Sequence, residues 1–157
     1  MSFFSASTYK LAVTQQALAT MGADTDWDAR ITAYLRTYHL MEADEEFGVG
    51  GRANEAALAK RIELEGRYGK GYRQHPAAQA EYEALKAMEQ TAEDERHRDF
   101  VAPHWAALRE LAVTPAPTLA AACFKQFLIQ SDEIWNDGAL GADCMQIVID
   151  DFARLAG

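Results

Sequence analysis

Apolar side chains recur every three or four residues through most of the chain. From Trp27 they run Trp27, Ile31, Tyr34, Leu35, Tyr38 and Met41, the step of one helix face. The segment opens on "DTDWD", with Thr25 or Asp26 as the cap and acids in the first turn. A close near Phe47 gives about 22 residues, or about 33 Å of helix. Before it, a weaker helix from Ser7 to Met21 places Leu11, Leu18 and Met21 inward and closes at Gly22.

Beyond the glycines of "FGVGGRAN", Asn54 is positioned to cap a helix whose anchors are Leu58, Ile62 and Leu64. Pro76 suits a first helical position. The helical step continues through Ala78, Tyr82, Leu85, Met88 and Ala92 to Trp105, Leu108 and Leu111. Pro103 lies inside that run and predicts a kink or a break, with Asp99 available to cap a second helix. "TPAPT" stops the pattern, and Thr118 caps the next helix. Leu119, Cys123, Phe124, Phe127, Leu128, Ile134 and Trp135 then form a broad apolar surface that "NDGALG" ends. Asp143 and Gln146 open the last helix as a capping box, with Met145, Val148, Phe152 and Leu155 on one face. No run alternates at period two, and no hairpin turn joins two β-branched runs. The pattern predicts an all-α fold over residues 1–157, a single-domain helical bundle of six or seven helices. Its long central helix is kinked or broken near Pro103, and flexible glycine-containing connections fall near 48–51 and 66–75.

Length supports one domain with one core. The formal charge of −9 disfavours nucleic acid and anionic membranes as direct partners. Its distribution is uneven: three basic and seven acidic side chains in residues 1–50, nine and ten in 51–100, three and seven in 101–157. Cys123 and Cys144 form no C-x-x-C pair, and reduced, partly buried thiols are expected. The N-terminal stretch does not read as a signal peptide, and no apolar run is long enough to cross a membrane. A cytoplasmic protein is the expectation.

"TPAPTLAAACFKQFLI" and the closing "IVIDDFARLAG" resemble a set of short bacterial all-helical proteins with no assigned activity. In those a Thr-Pro-rich break precedes a small-residue helix carrying a lysine, here Lys125. A final helix ends in an Asp-x-x-x-Leu pattern, here Asp151 to Leu155. The resemblance implies a helical fold and carries over no site.

"GVGGRA" satisfies a loosened dinucleotide fingerprint, but that loop needs a strand before it and amides facing a pyrophosphate. A helix ending in carboxylates precedes it here, so it reads as a helix–helix connection. In "EGRYGKGYRQHP", Arg67, Lys70 and Arg73 alternate with Tyr68 and Tyr72, the composition of a partner or anion contact. Glu42, Glu45 and Glu46 form an acidic patch at a helix C-terminus, against the helix dipole. Asp94 and His97 at i, i+3 and Glu93 and His97 at i, i+4 each share a helix face, one imperfect D-x-x-H without the two E-x-x-H motifs that a di-iron bundle uses. Asp150 and Asp151 point apart as adjacent helical residues and read as surface charges. No catalytic residue, cofactor or metal ligand is assigned. The chain reads as a protein-interaction or regulatory module whose partner is another protein, with Tyr9, Tyr68, Tyr72 and Trp105 as contact aromatics. Self-association stays open. The alternatives are an acidic nucleic-acid-mimicking inhibitor of a host or phage enzyme, and a metal-binding or catalytic bundle around His97.

Overall fold

The structure, a computed structural model, describes residues 6–131, 134 and 143–157, with side chains except at 6–10 and 49. The side chains of Tyr9 and Trp135 and the "NDGALG" break therefore lie outside the described residues. No strand occurs among the described residues. The helical segments are α1 (Ala6–Leu18), α2 (Thr25–Phe47), α3 (Val49–Tyr68), α4 (Gln79–Arg96), α5 (Ala102–Val113), α6 (Leu119–Ser131) and α7 (Cys144–Ala156). They make five separate helices among the described residues, fewer than the six or seven expected. The count joins α2 to α3, between which only Gly48 is non-helical, and α4 to α5, which connect through a π-helical turn, His97–Val101. None is long and apolar enough to cross a membrane.

The π turn accounts for Pro103. Proline has no N–H to give to the helical ladder. The Ala102 N–H reaches back five residues to the His97 carbonyl, and Pro103 falls in the first turn of α5, where its missing donor is tolerated. Asp99, expected as an N-cap, lies inside the π turn.

The chain divides into two compact units, residues 1–37 with 104–157, and residues 38–103. In the first, Trp27, Ile31 and Tyr34 of α2 are buried, as are Leu108 and Leu111 of α5, Phe124, Leu128 and Ile129 of α6 and Val148 of α7. Tyr34 meets Phe124 edge-on at 6.4 Å. Cys123, expected on the apolar surface, points outward while Lys125 is buried; Cys144 is buried. In α1 the inward set is Val13, Ala17 and the following Thr20, whereas Leu11 and Leu18 face solvent. Hydrogen bonding sets that register, because the buried Trp27 indole N–H needs an acceptor. It finds the Thr20 hydroxyl at 2.9 Å, which itself donates to the Ala17 carbonyl at 2.7 Å.

The caps follow the same logic of unsatisfied end groups. Asp24, and neither Thr25 nor Asp26, caps α2: its Oδ1 accepts the N–H groups of Asp26 and Trp27 at 2.9 Å each. Thr118 caps α6 as expected, accepting from Ala121 N–H at 3.1 Å. Asp143 caps α7 through Met145 and Gln146 N–H. The Gln146 side chain binds Asp150 at 2.8 Å, so the reciprocal half of the box is absent.

In the second unit α3 and α4 pack together over Ala57, Leu64, Tyr72, Ala78 and Leu85. Leu58 and Ile62, expected inside, are 58% and 64% exposed. Asn54 is mid-helix rather than a cap. Of the stretch expected as a connection near 48–51, only Gly48 lies outside a helix. Its glycines answer to Asp44, which is buried at the end of α2. A Cβ on Gly48 would stand 2.2 Å from Asp44 Oδ1, and one on Gly50 would stand 2.9 Å from Oδ2.

Candidate functional site

The connection between α3 and α4 carries the cations and tyrosines singled out by composition. α3 ends at Gly69, whose φ of +80° is costly for any residue with a Cβ and whose N–H closes on the Glu65 carbonyl at 2.8 Å. Tyr72–Gln74 and Pro76–Ala78 then form short 3-10 turns, with the His75 ring accepting from Ala77 N–H. Tyr72 is not a surface contact. It is buried, edge-on to Tyr82 at 5.9 Å, because the 3-10 turn directs its ring into the core shared by α3 and α4. Tyr68 is half-buried and packs on His75 at 5.0 Å.

Arg67 is engaged in ion pairs within α3 and across to α4. It grips Glu81 with both nitrogens, at 3.0 and 2.7 Å, and also reaches Glu63. Lys60 reaches Glu81 at 2.7 Å and Glu63 at 3.2 Å. Hydrogen bonds from Lys60 and then Arg67 hold the Glu81 carboxyl down to about 2. The hydrogen bond to Glu81 in turn raises the Arg67 guanidinium above its ordinary value. These charges tie α3 to α4 and leave little positive field for a ligand.

Lys70 and Arg73 remain outward. Lys70 has no ion-pair partner among the described residues, and Arg73 lies over the Tyr72 ring at 5.9 Å. With Leu58, Arg61, Ile62, Glu65 and Tyr72 they line an open groove of about 520 Å³. Its floor is aliphatic and its rim mainly cationic, although Arg61 is already paired with Glu89. A second groove, of about 510 Å³, lies between α3 and α4 and includes Asn54, Lys86, Glu89, Glu93 and Arg96. Its charges pair locally, Arg61 with Glu89, Arg96 with Glu93, and Lys86 with the neighbouring Glu83 outside the lining.

The residues of the acidic patch lie on the last turns of α2. Glu46 is exposed, and Glu42 is half-buried. Exposed Glu45 lies 3.8 Å from Arg96, which also meets the buried Asp44 at 3.7 Å. Phe47, directly beyond them, is 76% exposed. His97 and Glu93 are exposed, Asp94 accepts from Gln90, and no cluster of three metal-type ligands occurs among the described residues.

Sequence reasoning missed a buried ionic cluster in the first unit. Asp151 is buried rather than a surface charge, while Asp150 is exposed. Lys125 Nζ donates to Asp151 Oδ2 and to the Thr114 carbonyl, at 2.5 Å each. Asp151 Oδ1 accepts from Ala116 N–H and from Arg154, both at 3.0 Å, and Arg154 also bonds the Ala116 carbonyl. The cluster thereby satisfies the backbone of "TPAPT", which two prolines exclude from a helical ladder. Burial pushes the Lys125 ammonium down, with its Asp151 partner opposing. For Asp151 burial pushes upward, and the hydrogen bonds from Lys125, Arg154 and Ala116 win, leaving it below the ordinary carboxylate range. The sequence signal was the helical spacing of Cys144, Val148 and Asp151, which places Asp151 on the buried face of α7. His104 is also buried, and desolvation lowers its imidazole.

No family profile, curated protein or solved structure matches this chain.

Proposed function

We infer that the chain is a non-catalytic protein-interaction or regulatory module that docks its partner on the outer face of α3 and the adjoining connection. The observation that carries this reading is the pair Leu58 and Ile62, one helical turn apart and 58% and 64% exposed. A surface helix ordinarily buries one apolar stripe and presents polar residues opposite. α3 already buries Ala57 and Leu64, yet presents two further branched aliphatics to water. Covering such side chains contributes about 1.5–3 kcal/mol each, which makes them anchors rather than ornaments of a surface. Lys70 and Arg73 border them and supply a charged rim, the arrangement of an apolar centre within a polar margin.

The test is capture of the partner from the source cells with three baits of equal melting temperature. Wild type and Ile149→Gln, which changes an exposed isoleucine on α7, are expected to retain a near-stoichiometric partner. The double variant L58Q/I62Q is expected to lose it. Undiminished capture by L58Q/I62Q contradicts the assignment of this face.

A further inference from the structure

The occupant that the groove fits is present on the same chain. Along α2, Leu40, Ala43 and Phe47 are all exposed, at the i, i+3, i+7 spacing by which an amphipathic helix seats in a groove. Glu46 stands beside Phe47 and is exposed. The groove offers Leu58 and Ile62 to receive the ridge, and Lys70 and Arg73 against the carboxylate, with Glu65 the one opposing charge in its lining. An apolar ridge thus meets an apolar groove, and the Glu46 carboxylate meets the Lys70 and Arg73 cations, with Arg52 at the Phe47 carbonyl a cation on the ridge side.

They cannot meet within one molecule. α3 runs as a continuous helix from Val49 to Tyr68, and at 1.5 Å per residue it holds Phe47 about 17–22 Å from Leu58 and Ile62. We propose that the groove takes the α2 ridge of a second copy of this chain, each copy giving one ridge and one groove to a reciprocal pair. Such a two-fold arrangement closes on itself, whereas a one-way contact would propagate. The proposal rests on the reading of the α3 face as a docking surface and names its partner. Residues 38–103 supply every group involved.

The experiment is sedimentation velocity of the full chain over low to high micromolar concentration, with F47Q and L58Q/I62Q as variants. Wild type is expected to reach twice the monomer mass. Each variant, with unchanged helicity and melting temperature, is expected to remain monomeric at concentrations where wild type is paired. Mixing the two variants is the decisive arm, since F47Q keeps an intact groove and L58Q/I62Q an intact ridge. The mixture is expected to form a pair through the one surviving contact, at higher concentration than wild type. A wild type that stays monomeric throughout overturns the proposal, and so does pairing that F47Q leaves unchanged. If the wild type is monomeric but capture of another protein still depends on Leu58 and Ile62, this inference fails alone and the docking face stands.

Discussion

At the scale of single residues, the strongest constraints are ionic. Lys125 and Asp151 are both buried, and removing one partner leaves the other charge unpaired away from water. Asp151→Asn is therefore expected to cost about 3–5 kcal/mol in urea unfolding, against less than about 1 kcal/mol for Asp150→Asn on the exposed side. The paired change K125M/D151L avoids desolvating charge but leaves the Thr114 carbonyl and the Ala116 N–H without their partners, so it should recover only part of that loss. A D151N variant as stable as wild type contradicts the clasp. Glu81 gives a pH prediction. Its folded value of about 2 lies below the ordinary 4.5, so its contribution to stability is present above 4.5 and is lost as pH falls towards 2. A carbon-detected NMR titration should find Glu81 still ionised at about pH 3, where an unpaired glutamate is mostly protonated. A midpoint near 4.5 contradicts the Lys60–Glu81–Arg67 network.

At the scale of elements, three glycine positions test the helix boundaries. Gly48→Ala places a Cβ against the Asp44 carboxylate and is expected to destabilise by about 1–3 kcal/mol. Gly69→Ala forces a left-handed φ and should cost about 1–2 kcal/mol. Gly66→Ala, inside α3 with open space around it, should instead stabilise by about 0.5–1 kcal/mol. Thermal or urea unfolding of the three variants checks the order, and a stabilising G69A or destabilising G66A would contradict these helix boundaries. The same elements show what was legible in sequence. The all-helical class, the Thr118 cap and the Asp143 cap followed from periodicity and local chemistry. Helix faces were harder, because α1 and α3 carry apolar residues on two sides and only packing decides which is buried. Ala57 with Leu64 won over Leu58 with Ile62, and Thr20 was drawn inward by an indole N–H seven residues away. Pro103 was visible, but the π turn that accommodates it was not. Of the candidate contact residues, composition pointed to Lys70, Tyr72 and Arg73, which line one groove, but not to the burial of Tyr72 or to the pairing of Arg67 with Glu81, which depend on how α3 and α4 pack.

At the scale of the whole molecule, a net charge of −9 coexists with a middle section, residues 51–100, carrying nine basic and ten acidic side chains. The Lys70 and Arg73 of the α3 groove are drawn from that section, so under the proposed pairing an acidic protein offers a place to attract a carboxylate-bearing ridge. Attraction of this kind steers encounter and weakens with salt, while the aliphatic floor contributes the salt-independent part. Raising salt is thus expected to slow association more than it speeds dissociation. The most direct measurement of the docking face is backbone hydrogen–deuterium exchange of the chain, free and in its captured complex. Protection is expected to concentrate in residues 57–73, joined by residues 40–47 where the partner is a second copy, with unchanged exchange in α7. Protection confined to α7 or to the α1 face around Leu11 and Leu18, with 57–73 unaffected, would contradict it.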